Sequence, residues 1–396
     1  MRTYRELFRA PEYTPLFATS SAQLAALTVS GLALGTLVFD RTGSPLLAAL
    51  GMFGGSLAQV IGATALMSAA DRLPPRAALS LSALVFALGT AALAIPGLPL
   101  WALFAIVLGE GAVAAVAGGV RFGLLNEILP RDGYLLGRSV LNMCNGMVQV
   151  VGFSLGAVLV AALSARGTLL VGAGLYLLAA VVARCGLTRR PPRAAGRPSV
   201  AETWRNNSLL WSVKQRRYLY VVLWVPNGLI VGCESLFIPL QPDHAGLLFA
   251  FAALGMLLGD VLGGRFVPSA WRRRLGHPMQ LLLAVPYLLF AVHPPLPVAL
   301  AVIGIASIGY SATLLFQERL MAITPPELSG QALGLHSSGM VAMQGVAASL
   351  AGGIAQVTSP TAAIVFLAGA SITVTLVVGA GLRATSPETV VATAEA

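Results

Sequence analysis

Twelve apolar stretches, most of them near 20 residues long, fill the greater part of this 396-residue chain. That length of mainly apolar helix, about 20 residues, is what crossing the hydrocarbon core of a bilayer requires. They are residues 14–39, 44–70, 77–95, 100–125, 139–163 and 168–182, then 218–237, 245–263, 278–292, 297–316, 332–357 and 362–382. Lipid offers backbone N–H and C=O groups no partners, so each stretch is expected to be helical. The predicted fold class is an all-α integral membrane protein with 12 transmembrane helices.

A basic connector divides these stretches six from six. Its centre, Thr188-Arg189-Arg190-Pro191-Pro192-Arg193-Ala194-Ala195-Gly196-Arg197, cannot enter a bilayer, because prolines interrupt a helix and charges at that depth are costly. The expected organisation is a six-helix bundle over 1–186, a cytoplasmic linker over 187–217, a second bundle over 218–383 and a tail over 384–396. An offset of 193 residues maps Gly137, Gly146, Met147 and Val148 onto Gly330, Gly339, Met340 and Val341, and Arg72 onto Arg265. The two bundles are therefore read as pseudo-symmetric parallel repeats. Trp204, Leu209, Leu210 and Trp211 make the end of the linker a candidate amphipathic helix on the membrane surface.

Only 10% of the residues are charged and 57% are hydrophobic, which excludes a soluble enzyme with a single anchor. The net charge of +10 would point to nucleic acid in a soluble protein, but here the positive residues sit in connectors between apolar stretches. Of 25 Lys and Arg, all but Arg41 and Arg166 fall on one side of the predicted topology. By the positive-inside bias that side is cytoplasmic, with both termini inside a cell inner (plasma) membrane. The run from Arg2 to Arg9 resembles a signal-peptide start, but the apolar stretch that follows is too long, so it is read as a retained first helix. Cys144, Cys185 and Cys233 have no metal-ligand spacing, and neither a disulfide framework nor a metal or other cofactor is expected.

Strongly polar side chains inside the stretches carry the functional signal. Gln23 lies in the first, Gln59 in the second, Glu110 and Arg121 in the fourth, and Asn142, Asn145 and Gln149 in the fifth. Asn227 and Glu234 lie in the seventh, Asp260 in the eighth, and His336 and Gln344 in the eleventh. The third, sixth, ninth and twelfth stretches lack such residues in their interiors and are expected to face lipid. Asn142, Asn145 and Gln149 follow an i, i+3, i+7 pattern on one helical face. Single amides of this kind also serve helix packing, whereas a stripe shared by several helices points to a polar cavity. Glu110 lies roughly 13 Å below Trp101 at 1.5 Å per residue, where an unpaired carboxylate must take up a proton or face water. Arg121, eleven residues on, shares that face roughly 16 Å away. Pro226-Asn227-Gly228 is expected to loosen the seventh helix just before Glu234.

With Asp71-Arg72-Leu73-Pro74-Pro75-Arg76 between the second and third stretches, the chain resembles the major facilitator superfamily over its whole length. The motif of that family there is G-x-x-x-D-R-x-G-R-R. Asp71, Arg72 and Arg76 match it, while Met67, Pro74 and Pro75 depart from it. The resemblance implies that Asp71 locks the cytoplasmic side with a basic residue of the fourth helix and the start of the eleventh, here Arg121 and Ser329-Gly330. Gly152-Phe153-Ser154-Leu155-Gly156 keeps the glycines of the drug-antiporter motif without its proline, and Val107-Leu108-Gly109-Glu110-Gly111 replaces that group's R-x-x-Q-G. The run from Val120 to Pro130, leading to Gly137-Arg138-Ser139-Val140-Leu141-Asn142, is similar to exporters of siderophore and macrolide type.

These readings converge on a non-enzymatic secondary transporter that exports a small amphipathic molecule in exchange for protons by rocking its halves about a central cavity. Glu110 is expected to carry the proton. Gln23, Asn142, Asn145, Gln149, Asn227, Glu234, His336 and Gln344 are expected to line the substrate cavity. Asp71, Arg72, Arg121 and Arg265 are expected to form the cytoplasmic gate. The expected partners are the lipid bilayer, the small-molecule substrate and protons, with no nucleic acid, and the protein is expected to be monomeric. No ATP-binding signature is present, so energy is expected from an ion gradient. A facilitator or importer of the same fold, or a transport-inactive sensor or scaffold, remains the alternative.

Overall fold

Every apolar stretch read from the sequence is helical where the structure, a computed structural model, describes it: residues 4–70, 73–129, 131–191, 200–263, 267, 269–325 and 328–384. In chain order the helices are α1 (Tyr4–Arg9), α2 (Tyr13–Thr42), α3 (Pro45–Ala70), α4 (Pro75–Leu93), α5 (Leu100–Ile128), α6 (Arg131–Gly186), α7 (Val200–Ser212) and α8 (Lys214–Glu234). They continue as α9 (Phe237–Leu240), α10 (Ala245–Val261), α11 (Ser269–Ala284), a 3-10 segment over Val285–Val292, α12 (Leu296–Ile308), α13 (Ala312–Ala322), α14 (Ser329–Val357) and α15 (Pro360–Ala384). Among the described residues no strand occurs. Among the described residues ten helical stretches are long and apolar enough to cross a membrane; Gly146–Gly186 is a 41-residue run, and Pro45–Gln59 is a shorter apolar one.

Turn chemistry sets several ends. Gly43 adopts φ 62°, a left-handed conformation that stops α2, and its N–H donates to the Phe39 carbonyl at 2.7 Å. Gly97 turns the chain between α4 and α5 with φ 75°, and His293 ends the 3-10 segment with φ 50° ahead of two prolines. Arg41 reaches across to donate to the Leu98 carbonyl at 2.9 Å, joining the first two of these turns.

Some expected boundaries shift. The fifth and sixth stretches form one helical run, α6, interrupted only where Ser164 takes φ 69° and ψ 167°. The ninth starts at Ser269 rather than Pro278, because Trp271-Arg272-Arg273-Arg274 is already helical and Pro278 is accommodated inside α11. The expected loosening at Pro226-Asn227-Gly228 is not observed: α8 is continuous from Lys214 to Glu234. Neighbouring helices hold it, with Gly228 against Met343 and Ser371 Oγ donating to the Pro226 carbonyl at 3.1 Å. The linker pattern is realised as α7, with Leu210 buried and Trp204, Leu209 and Trp211 exposed. Gln331 Nε2 donates to Asn207 Oδ1 at 2.7 Å, fixing α7 to α14.

The helices form two compact units, Met1–Arg197 with Gln241–Ala250, and Pro198–Leu240 with Phe251–Ala396. In lipid, helices gain little from hiding apolar surface from one another, so close van der Waals contact between small residues does most of the joining. In the first unit α3 and α5 cross where a Cβ on Gly111 would strike the Gly55 backbone, and α6 meets α2 where Gly152 packs on Thr28. In the second, α10 meets α12 through Gly255 on the Gly304 carbonyl. A clasp of charged groups closes one end of the first unit. Arg190 donates to Glu12 Oε1 at 2.7 Å and to Glu127 at 3.3 Å, while the Thr188 hydroxyl donates to the same Glu12 oxygen at 2.8 Å and the Thr188 backbone N–H to Glu12 Oε2 at 3.1 Å. Tyr13, fully buried, donates its hydroxyl to the Gly137 carbonyl at 3.0 Å.

Two stability outcomes follow from this packing. Gly111→Leu forces α3 off α5 and is expected to lower stability in detergent by about 1–3 kcal/mol or more, the usual range for overpacking; an unchanged thermal midpoint contradicts the crossing. Arg190→Gln is expected to destabilise by about 1–2 kcal/mol, between the values for exposed and charge-assisted buried contacts. A double-mutant cycle with Glu12→Gln that gives no coupling energy contradicts the clasp.

Candidate functional site

Glu110 does not stand alone on α5. It opens into a cavity of about 340 Å³ within the first unit, lined from α2 by Gln23 and Ser30, from α3 by Gln59, from α4 by Thr90, from α5 by Glu110 and Arg121, and from α6 by Tyr176. The apolar remainder includes Leu24, Leu27, Leu34, Met52, Leu93 and Val107. The lining is graded along the helices. Leu34, Met52, Leu93 and Val107 lie toward the ends bearing the Gly43 and Gly97 turns, whereas Gln23 and Arg121 lie toward the opposite ends of α2 and α5.

The local sequence explains how the carboxylate is placed. Gly89 has no side chain, and a Cβ there would collide with Glu110 Oε1, so this glycine makes room for the acid against α4. One residue on, the buried Thr90 hydroxyl donates to the same oxygen at 3.3 Å, long for an O–H···O bond. Among the described residues no cation pairs with Glu110. Gln23 Nε2 and Ser30 Oγ are buried, border the cavity and have no hydrogen-bond partner among the described residues. Unpaired polar atoms at such depth are costly unless something in the cavity satisfies them. Charge, amide and hydroxyl groups thus meet beside an apolar wall, an arrangement suited to water, protons and an amphipathic solute.

Four of the residues singled out from sequence, Gln23, Gln59, Glu110 and Arg121, are therefore brought together. Gln149, half-buried on α6, does not line this cavity. Asp71, Arg72 and Arg265 lie outside the described residues, as do the side chains of Asn142 and Asn145 on α6. The other candidates belong to the second unit. Asn227 is buried and its Nδ2 donates to Thr313 Oγ1 at 3.4 Å, while its Oδ1 has no partner among the described residues. Glu234 is buried and accepts from the Tyr310 hydroxyl at 3.0 Å. His336 is buried, and its backbone carbonyl accepts from Trp224 Nε1 at 3.1 Å. Gln344 is half-buried on α14.

Sequence reasoning missed Thr90 and Tyr176. It placed the third and sixth stretches against lipid because they lack amides and charges, yet α4 contributes Phe86, Thr90 and Leu93 to the cavity and α6 contributes Tyr176. Their outer faces fit the expectation, with Leu81, Leu88, Leu170 and Leu177 exposed. The available signal was a hydroxyl next to a glycine, Gly89-Thr90, in an otherwise apolar helix.

Comparison with known proteins bears on the family and the fold. Residues 16–244, more than half the chain, match the Major Facilitator Superfamily. A comparison with curated proteins finds no match. Similar solved structures include a POT family transporter in complex with 5-aminolevulinic acid, with TM-score 0.74, 12% identity, and coverage of 94% of this chain and 96% of that one. The nucleoside transporter NupG, as a mutant, gives TM-score 0.71 and 12% identity over 93% of this chain and 99% of that one. A bacterial homologue of the human lysosomal transporter Spinster, inward-facing and unoccupied, gives 0.66 and 16% over 96% and 95%. At these identities the likeness is one of fold. With apolar helices long enough to cross a membrane many times, an all-helical fold shared with transporters, and a family match over most of its first half and beyond, the chain belongs to the major facilitator superfamily and is a multi-pass secondary transporter.

Proposed function

We propose that this transporter exports a small amphipathic organic molecule, a drug or secondary metabolite, in exchange for protons. The observation that carries the reading is the shared cavity of Glu110, Gln23, Ser30 and Arg121, with no cation paired to Glu110 among the described residues. A carboxylate without a paired cation at membrane depth is costly as an anion. It is therefore best occupied by a proton when the cavity is dry, and gives that proton up when water or a polar solute enters. Competition between proton and substrate for one cavity produces exchange when the cavity opens alternately to the two sides. The apolar wall of Leu24, Leu27, Leu34 and Val107 favours a solute with a hydrophobic body, and the amides of Gln23 and Gln59 favour one with a polar end.

In this reading the protein works as a monomer in the inner membrane, with both termini and the 187–217 linker in the cytoplasm. Residues 1–186 and 218–383 form its two six-helix halves, and 384–396 the tail. Asn142, Asn145, Gln149, Asn227, Glu234, His336 and Gln344 extend the substrate path. Asp71, Arg72, Arg121 and Arg265 form the cytoplasmic gate. The similarity to exporters at Val120 to Pro130 supports the direction. A facilitator or importer is the second reading, favoured by the fold-level likeness to peptide and nucleoside transporters.

The test is proton flux in proteoliposomes under an imposed pH gradient, on adding a panel of amphipathic compounds. Wild type is expected to show compound-dependent flux, and Glu110→Gln to lose at least about tenfold of it, in line with the removal of a proton-transfer group. Compound movement that is equal without a gradient, or in the variant, supports the facilitator reading. Gly89→Ala, which displaces the Glu110 carboxylate without removing it, is expected to lower coupled flux severalfold, consistent with the sensitivity of such sites to small displacements. Unaltered flux in Gly89→Ala contradicts the assigned position of the carboxylate.

A further inference from the structure

A second concavity of the first unit, of about 770 Å³, lies away from the Glu110 cavity, between the start of α4 and the end of α6. Arg76, Arg184, Arg189 and Arg190 border it, and among the described residues no acid does. Arg190 is engaged by Glu12 and Glu127. The other three have no ion-pair partner among the described residues, and Arg76 Nε is buried without a hydrogen-bond partner. Like charges gathered beside a low-dielectric wall repel one another and attract an anion.

The walls decide which anion. On α4 the groove runs through Ala77, Leu81 and Leu84, and on α6 through Leu177, Val181 and Arg184, each set following helical i, i+3/i+4, i+7 spacing. Leu81, Leu84, Leu177 and Val181 are 37–61% exposed, so these faces are turned to lipid in a protein that crosses the membrane. From Arg76 to Leu84 the apolar track extends about 12 Å at 1.5 Å per residue. A free inorganic anion would use the arginines and leave this track bare. An amphiphile with an anionic head and a hydrocarbon tail uses both.

We propose that this groove binds an anionic phospholipid of the surrounding membrane, with its phosphate against Arg76, Arg184 and Arg189 and one acyl chain along Leu81, Leu84, Leu177 and Val181. Basic pockets between transmembrane helices are suited to such headgroups. The assignment requires only that the chain spans a membrane, and it stands or falls apart from proton exchange and from the direction of transport.

The test uses the full-length protein carrying a Leu81→Trp reporter, reconstituted in phosphatidylcholine vesicles. These contain equal mole fractions of either dibrominated phosphatidylglycerol or dibrominated phosphatidylcholine, and emission quenching is compared with the parent protein. The anionic lipid is expected to quench the reporter with an apparent preference of about fivefold to tenfold. Removing Arg76, Arg184 and Arg189 together, each as Arg→Gln, is expected to abolish the preference. If the triple variant does not fold, Arg184→Gln and Arg189→Gln, at exposed positions, are each expected to lose part of it. Equal quenching by the two lipids, or a preference that survives removal of the arginines, overturns the proposal. So does an equal preference at a Phe366→Trp reporter on the lipid-exposed face of α15, which means general enrichment around the protein. Loss of the preference on adding inorganic phosphate also overturns it, since the arginines would then serve a soluble anion.

Discussion

Hydrocarbon supplies no hydrogen bonds, and this deprivation governs both the fold and the site. It forces the backbone into helices and leaves glycine contacts such as Gly55–Gly111 and Gly255–Gly304 to join them. The same deprivation makes each polar side chain within the spans an exception that needs a partner or a purpose. Most find one locally: Thr28, Thr36, Ser154 and Thr375 bond back to carbonyls three or four residues earlier in their own helices. Glu110, Gln23 and Ser30 do not, and they border one cavity.

Much of this was legible in the residues. The apolar stretches fall on helices, and Gly43, Gly97 and His293-Pro294-Pro295 mark turns because glycine and proline chemistry is read from nearest neighbours. The common placement of Glu110 and Arg121 follows from helical geometry, since eleven residues make three turns. The presence of Gln23 across from them followed only from its polarity. What sequence could not show were contacts between distant parts of the chain. The clasp of Glu12, Thr188 and Arg190 spans more than 170 residues, and Arg190 had counted only as one positive charge among many. Tyr176 and Thr90 escaped for another reason: a hydroxyl in an apolar helix is ordinary, and its meaning depends on which neighbour it meets.

The two concavities of the first unit use arginine and apolar surface in different ways. Around Glu110 the lining mixes an acid, a base and amides, which suits a changing occupant and a mobile proton. Around Arg76 the lining among the described residues is of one sign over an apolar track, which suits a constant amphiphilic neighbour. Both involve α4 and α6, on opposite faces: Thr90 and Tyr176 look inward, Leu81 and Leu177 outward. The third and sixth stretches, expected to face lipid, thus serve two environments.

The central claim is that Glu110 gives up a proton when substrate occupies its cavity. The most direct measurement is proton release from purified protein in weakly buffered detergent solution on adding a compound that the flux panel identifies, with binding followed in the same sample. The account predicts about one proton released per protein bound in the wild type, and none in Glu110→Gln at equal occupancy. Equal release from both proteins, or binding by the wild type without release, would contradict it.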